Sequence, residues 1–180
     1  VVKDILEGFG YKVFSKVLNA KNFGVPQNRE RIYIIAFLNQ DIDFKFPSDL
    51  IKKTKLGDIL ENKVDDKYTI SDKLWAGHRR RKLEHKAKGN GFGYCMFNNE
   101  SEYTSTISAR YYKDGSEILI DQKGKNPRKL SVREAARLQG FPDKFKITVS
   151  DTQAYKQFGN SVAVPVISEL AKNIFKELEQ

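Results

Sequence analysis

The stretch Thr152–Leu170, TQAYKQFGNSVAVPVISEL, decides how the end of this chain folds. It predicts a short polar helix, a sharp turn at Gly159-Asn160-Ser161, and then an apolar helix. Asp151 or Thr152 can cap the first helix, because a short side-chain oxygen there satisfies unpaired backbone N–H groups. Gly159 is typical of a residue that ends a helix in the left-handed conformation.

The second helix of this stretch is predicted to bury one face. Pro165 fits its first turn, and apolar residues recur after it at three- and four-residue spacing, which is the pattern of an amphipathic helix. These residues are Ile167, Leu170, Ala171, Ile174 and Leu178. Asn160 and Ser161 are small polar groups on the turn between the helices. Such a turn can bind a ligand or only connect two helices, and the local pattern leaves both alternatives open.

The composition bounds the class of protein. A chain of 180 residues can form one ordinary domain, or a moderate domain and a small one. Charged residues make up 31% and no apolar run reaches about eighteen residues, so a membrane protein is excluded. The N-terminus, VVKDILEGFG, lacks the features of a secretory signal and an initiating Met. Because it begins within a helix-like pattern, we expect a fragment or a trimmed chain.

The net charge and the number of cysteines and histidines limit which partners and metal sites are expected. The formal net charge of +9 favours polyanions such as nucleic acids. The single cysteine, Cys95, excludes an internal disulfide and a Cys-rich zinc cluster. His78 and His85 lie seven residues apart without a second type of metal ligand nearby. We therefore expect two solvent-facing helix residues and no metal site.

Two strands are predicted near the N-terminus. Tyr11–Asn19 alternates with a period of two, which indicates a strand. Arg31–Leu38, RIYIIAFL, is almost continuously apolar and predicts a strand buried on both faces. Two such strands cannot cover themselves, so we expect them to close a sheet whose other strands lie outside this chain.

The region from Asn39 to Pro127 has a different character. Ser71 predicts the N-cap of a helix that runs towards Lys88, with seven Lys or Arg residues and two acids between these positions. Such a run contacts a polyanion or forms a solvated helix face, and both remain open. The glycine-rich stretch 89–93, GNGFG, is either a turn or a loop that approaches phosphates.

Strand-like pieces follow at Thr104–Ala109 and Ile118–Asp121, and the Asp-Gly pair between them predicts a hairpin. Ser131 and Glu134 then have the spacing of a capping box. They predict a helix at Val132–Gln139, which the following glycine ends.

Three blocks resemble the DNA cytosine-5 methyltransferases of bacterial restriction-modification systems. QFGNSV at 157–162 is similar to their C-terminal signature, GVPQNRERIY at 24–33 to their Pro-Gln-x-Arg-x-Arg block, and RKLSVREAARLQGFP at 128–142 to the helix-forming block before the signature. The blocks stand in the family's order, with a long variable region between the first and second. This agreement makes the resemblance much stronger than any single block would.

The resemblance implies an α/β fold: the C-terminal portion of a doubly wound S-adenosylmethionine-dependent methyltransferase sheet, with an inserted small mixed α/β target-recognition domain. Residues 1–38 and 128–180 would belong to the catalytic domain, and residues 39–127 would form the DNA-binding recognition domain. The implied partners are double-stranded DNA and the N-terminal half of the enzyme, as the same polypeptide or a separate subunit. The implied location is the bacterial cytoplasm, at the nucleoid.

Two arginines are the candidates for the target-base pocket. Arg29 and Arg31 stand two apart at the start of a strand, so their side chains are expected on one side, where they suit phosphate oxygens or a ring carbonyl. From spacing alone, they can equally be surface arginines paired with Glu30. The resemblance implies that Arg31 contacts the flipped cytosine, while Arg29 and Gln27 organise its pocket.

The family's cysteine nucleophile has no counterpart here. Base flipping exposes the reacting carbon, and a thiolate then adds to the ring. In the family that cysteine lies upstream of every block found in this chain. Cys95 lies in the variable region and does not match, so we expect a buried structural thiol. The chain alone is therefore expected to be inactive.

The resemblance also implies cofactor and DNA contacts. Phe141, Asn160, Ser161 and Val162 match positions that line S-adenosylmethionine, a site only partly present in this chain. Thr106 lies in TISA, which is similar to the family's Thr-Leu element, with isoleucine replacing leucine. The expected DNA contacts are Thr106, Arg79, Arg80, Arg81, Lys88, Asn90, Arg110, Tyr111 and Lys113. The alternative hypothesis is a stand-alone, non-catalytic DNA-binding or regulatory module derived from this family.

Overall fold

The computed structural model describes residues 1–50, 53–91 and 93–179, and this part of the chain contains both helices and strands. The helices are α1 Val2–Gly8, α2 Asp72–Ala87, α3 Val132–Leu138, α4 Asp151–Asn160 and α5 Val164–Leu178. The strands are β1 Lys12–Asn19, β2 Glu30–Phe37, β3 Met96–Phe97 and β4 Leu119–Ile120. Single 3₁₀ turns occupy Ala20–Phe23, Leu56–Asp58 and Asp66–Tyr68.

The two predicted N-terminal strands pair with each other. β1 and β2 run antiparallel, with Lys12 opposite Phe37 and Asn19 opposite Glu30. The expectation that β2 is buried on both faces is wrong, because Ile32 is 64% exposed and Val17, its neighbour across the pair, is 57% exposed. Side chains from the other face, such as Phe37, pack into a core. The strand pair therefore presents an uncovered apolar face.

Two apolar cores hold the elements together. The first joins α3 and α4 to the segments around β4 and the turn at Leu56–Asp58, and Leu56, Ile107, Leu130 and Phe158 are among its members. The second joins β1, β2 and the segment 42–44 to α5. The first core thus takes residues from both sides of position 128. The domain boundaries drawn from the sequence stay a prediction.

The helix that carries the QFGNSV signature differs from the prediction in two ways. α4 continues through Gly159 and Asn160, and Gly159 is not among the glycines with a positive φ. The N-cap is Ser150, not Asp151 or Thr152, and its side chain makes no capping hydrogen bond. A Cβ on Gly159 would lie 2.3 Å from the carbonyl carbon and oxygen of Ser108. Close backbone approach, not a left-handed turn, requires this glycine.

Other helix signals are confirmed. Pro165 lies in the first turn of α5, and Ser71 caps α2 by accepting from the backbone N–H of Leu74 at 3.3 Å. Ser131 and Glu134 form the predicted capping box at the start of α3. Glu134 also accepts two hydrogen bonds from the buried Arg128, at 2.7 and 2.9 Å. The capping residue therefore also neutralises a buried guanidinium.

The hairpin predicted between Thr104 and Asp121 is wrong. β4 pairs in parallel with β3 instead, and residues 109–114 form turns. The backbone of Thr104 bonds to Pro26 and Asn28 at 2.9 Å each. This segment lies along the first family block rather than along its sequence neighbour, because long-range pairing outweighs the local turn signal.

Candidate functional site

Three segments that are distant in sequence meet at one place: Pro26–Arg29, Thr104–Ile107 and Gly159–Ser161. We call this contact the three-segment junction. Besides the backbone bonds at Thr104, the hydroxyl of Thr106 donates to the carbonyl of Asn28 at 2.7 Å. The junction brings together the first block of the resemblance, the Thr-Ile element of the variable region and the C-terminal signature.

Arg29 links all three segments. Its Nη1 donates to the carbonyl of Ile107 at 3.2 Å, and its Nη2 donates to the carbonyls of Gly159 at 3.2 Å and Ser161 at 2.7 Å. The side chain is only 5% exposed, and this burial, with the charge of Arg31 nearby, lowers the pKa of Arg29. Its buried Nε has no hydrogen-bond partner within the described residues.

Gln27 makes a second set of links from inside the molecule. Its Oε1 accepts from the backbone N–H of Ile107 at 3.0 Å. Its Nε2 donates to the carbonyl of Leu138 at 3.1 Å and to Oε1 of Gln139 at 3.3 Å. Gln27 is fully buried, so it positions neighbouring segments and does not itself face solvent.

Arg31 differs from Arg29 in its surroundings. It is exposed at the start of β2, and its Nη1 donates to the carbonyl of Glu30 at 2.6 Å. The resemblance implied that Arg31 contacts the target base and that Arg29 organises the pocket, while spacing alone left a pair of surface arginines open. In the structure, the side chain of Arg29 donates hydrogen bonds to backbone carbonyls, whereas the side chain of Arg31 is accessible to a ligand.

Two of the four predicted cofactor residues, Phe141 and Ser161, contact Phe158. The ring of Phe141 lies 5.4 Å from the ring of Phe158, and the hydroxyl of Ser161 donates to the Phe158 carbonyl at 2.9 Å. Asn160, the last residue of α4, is exposed, and so is Val162. An exposed amide, an exposed apolar side chain and a half-buried aromatic ring thus lie close to Phe158 in sequence or in space, and we call these four residues the cofactor edge.

The basic residues of α2 lie on its surface. Arg79, Arg80 and Arg81 are exposed, as is Lys88 just after the helix. Arg80 lies 3.5 Å from Glu84 and Arg81 lies 3.2 Å from Asp114. Arg79 is the member of the triplet that stacks on the ring of Trp75, with 5.5 Å between the guanidinium carbon and the ring centre.

An open groove of about 810 Å³ lies beside the three-segment junction, and Ser105, Ser108, Arg110 and Lys113 are among the residues that line it. Arg110 and Lys113 are exposed on the turn 109–114, and Asn90 is exposed in the glycine-rich stretch. Phe92, within that stretch, lies outside the described residues. The groove therefore joins an accessible basic turn to the segment that contacts Asn28.

Tyr111 is a core residue, which corrects its assignment as a DNA contact. It is fully buried; its hydroxyl donates to the carbonyl of Ile118 at 2.7 Å and accepts from the backbone N–H of Leu130 at 2.8 Å. Burial raises the pKa of this phenol. A side chain enclosed in this way cannot reach a ligand.

Two further expectations are wrong. His78 is buried, and its Nε2 lies 3.3 Å from the carbonyl of Asp114, so it anchors the turn 109–114 to α2 instead of facing solvent. Cys95 is exposed and not a buried structural thiol. It lies in a stretch bonded by its backbone to Ser116 and Leu119, which leaves its side chain at the rim of the groove.

Sequence reasoning missed Gln139. This residue is fully buried just after α3, and its Nε2 donates to the carbonyl of Phe158 at 2.6 Å. The sequence feature that could have identified Gln139 is a polar side chain directly before the glycine that follows a mostly apolar helix. In the described ranges, no group of three or more His, Cys, Asp or Glu side chains is placed to hold a metal, and no helix is long and apolar enough to cross a bilayer.

Solved structures share this fold. The Entamoeba histolytica methyltransferase EhMeth superposes with a TM-score of 0.79 at 21% identity, over 99% of this chain and 58% of that chain. The S. pombe Dnmt2 methyltransferase gives 0.77 at 21% identity, over 99% of this chain and 62% of that chain. The chain therefore has the mixed α/β fold found in these methyltransferases.

Sequence comparison identifies the family. The family model for C-5 cytosine-specific DNA methylase matches residues 1–176. The chain is 65% identical to the Type II methyltransferase M.NlaX of Neisseria lactamica, over 94% of its own length and 54% of that protein. It is 39% identical to the DNA-cytosine methyltransferase of Escherichia coli K12, over 100% of its length and 46% of that protein. The chain belongs to the C-5 cytosine-specific DNA methylase family and spans about half the length of the curated relatives it matches.

Proposed function

We propose that this chain is the C-terminal part of a DNA cytosine-5 methyltransferase. In this role it recognises duplex DNA and completes the pockets for the flipped cytosine and for S-adenosylmethionine. The cysteine nucleophile belongs to a separate, N-terminal part of the enzyme. The observation that carries the proposal is the three-segment junction, because it unites the predicted base pocket, the recognition threonine and the cofactor turn through Arg29.

Arg31 is the group proposed to meet the target base. Its guanidinium is exposed beside the junction, and its fixed charge and planar donors suit a ring carbonyl and the neighbouring phosphates. Arg29 and Gln27 act as positioning residues, because both are buried and bonded to backbone groups. Together they would hold the segment that presents Arg31 and the hydroxyl of Thr106.

The cofactor edge fits part of S-adenosylmethionine, which supplies the methyl group when it is bound. The exposed amide of Asn160 can donate and accept hydrogen bonds, and Phe141 and Val162 offer apolar surface for flat or aliphatic groups. Ser161 keeps the turn in place through its bond to Phe158. These residues form one edge and not a closed pocket, which fits a site completed by another part of the enzyme.

Three features support the proposal that another part of the enzyme packs against this chain. The strand pair exposes Val17 and Ile32 on one face, and an apolar sheet face of this kind is normally covered. The buried Nε of Arg29 lacks an acceptor within the described residues, which is costly unless another group supplies one. The relatives are about twice as long as this chain.

The DNA surface is proposed to run from the groove to α2. Thr106, Arg110 and Lys113 would contact the strand that holds the target base, and Asn90 would lie at the far rim. The α2 side chains Arg79, Arg80 and Arg81, with Lys88, would neutralise phosphates further along the duplex, in line with the net charge of +9.

The alternative is a DNA-binding or regulatory module that acts without chemistry, and one assay separates the two. Transfer of labelled methyl groups from S-adenosylmethionine to mixed-sequence duplex DNA is measured with the chain alone and with the remainder of the methyltransferase. We expect activity only in the mixture. Activity from the chain alone would refute the proposal that the nucleophile lies in another part of the enzyme, and Cys95 would then be the first residue to mutate. DNA binding with no activity in either sample would support the module.

A further inference from the structure

A chain of buried side-chain amides connects the recognition segment to the cofactor turn. The backbone N–H of Ile107 donates to Gln27, which donates to Oε1 of Gln139 at 3.3 Å. Gln139 donates in turn to the carbonyl of Phe158 at 2.6 Å, and the same carbonyl accepts from the hydroxyl of Ser161 at 2.9 Å. We call this series the glutamine relay.

Both glutamines are fully buried, so their amide groups have no water to replace a lost partner. Leaving a buried donor or acceptor unpaired is much more costly than the net gain from making the bond. Hydrogen bonds thus run without interruption from Ile107 through Gln27 and Gln139 to the end of α4. The carbonyl of Gln139 also accepts from the N–H of Val164 at 2.8 Å, which ties the start of α5 to the same residue.

Backbone packing reinforces this connection. Gly159 lies so close to Ser108 and Ala109 that a Cβ would come within 2.4 Å of their backbone atoms. The backbones of the recognition segment and of the cofactor turn are thus in direct contact at Gly159. The relay determines their relative position by hydrogen bonds, and the glycine contact determines it by excluded volume.

We propose that Gln139, through Gln27, is a positioning residue that couples DNA binding at Thr106 and Ile107 to cofactor binding at the Asn160-Ser161 turn. This inference rests on the proposed function, because it needs both ligands at the junction. Coupling of this kind is reciprocal: each ligand raises the affinity for the other by the same factor.

The test measures the Kd for duplex DNA of the assembled enzyme, with and without saturating S-adenosylhomocysteine. For the parent, we expect this analogue of S-adenosylmethionine to tighten DNA binding on the order of fivefold or more. Gln139→Met keeps the side-chain length and loses the amide, so this ratio should fall to about one, while the Kd without the analogue stays close to the parent value. Gln122→Met is the matched control, since Gln122 also donates two hydrogen bonds, at 3.0 and 2.8 Å, but away from the junction.

A merely structural role gives a different result: Gln139→Met then lowers the urea midpoint and keeps the parent ratio, which would overturn the inference. A parent enzyme that is active but shows no coupling would overturn it as well. If the parent assembly transfers no methyl groups, the proposed function fails too, so the two failures are distinguishable.

Hydrogen exchange on the unmutated enzyme tests the relay even where Gln139→Met does not fold. We expect S-adenosylhomocysteine to slow exchange of the Ile107 amide, and duplex DNA to slow exchange across residues 158–161. Exchange that changes only at the segment contacting each ligand would refute the relay.

Discussion

At the scale of single residues, the sequence often indicated that a residue matters but not which contact requires it. The sequence singles out Gly159 as a helix-ending glycine, but the structure uses it for close contact with Ser108. A helix end in the left-handed conformation can be predicted from local sequence. The close contact between two backbones depends on a segment that lies some fifty positions away in sequence. Arg29 shows the same limit, because its spacing to Arg31 says nothing about the carbonyls it meets.

Gly159→Ala tests this reason. The added methyl would overlap the backbone of Ser108 and Ala109, and overpacking of this kind costs about 1–3 kcal/mol of unfolding free energy. We expect the urea midpoint to fall accordingly. Gly77→Ala is the control, because a Cβ there meets no atom within 4 Å and should stabilise α2 by about 0.5–1 kcal/mol. Equal midpoints for Gly159→Ala and the parent would show that the contact is not tight.

At the scale of elements, the capped helices α2 and α3 and the two long N-terminal strands followed the sequence, whereas the pairing of the short strands did not. α2 and α3 begin directly after their predicted caps, Ser71 and Ser131, because a cap and the spacing of apolar residues are local signals. The hairpin at 104–121 failed, since β4 finds its partner in β3 and Thr104 pairs with a segment near position 26. Pairing between distant strands has no local signature.

The basic triplet of α2 permits a test at this scale. Removing two phosphate contacts should lower the slope of log K against log salt by about 0.9 for each contact. We expect Arg79→Ala combined with Arg80→Ala to weaken DNA binding and flatten this slope, measured by fluorescence anisotropy over a series of salt concentrations. Arg81 is left unchanged because it pairs with Asp114.

Lys172→Ala serves as the basic control for this pair, because Lys172 lies on α5 and pairs with Glu169 at 2.6 Å. It should leave the slope unchanged. If the double α2 variant also keeps the parent slope, the triplet is a solvated helix face, the alternative that the sequence left open.

At the scale of the whole molecule, the family was predictable from three blocks and their order, and the match over residues 1–176 confirms it. The meeting of the first and last blocks with the segment Thr104–Ile107 was not predictable from spacing, because it depends on the contacts of Arg29 and Gln27 with distant backbone groups. The two strands were predicted, but the predicted burial of β2 on both faces is wrong, because one apolar face of the strand pair is exposed. Under the proposed function, another part of the enzyme would cover this exposed face.

The most direct measurement titrates this chain into a fixed amount of the remaining part of the methyltransferase and follows methyl transfer to DNA. We predict that activity rises until one equivalent is added. Arg31→Ala chain should assemble equally well, give little or no activity and inhibit the parent when added in excess, whereas Lys172→Ala chain should behave like the parent. Full activity with Arg31→Ala, or activity of the remaining part without this chain, would contradict its role in completing the base pocket.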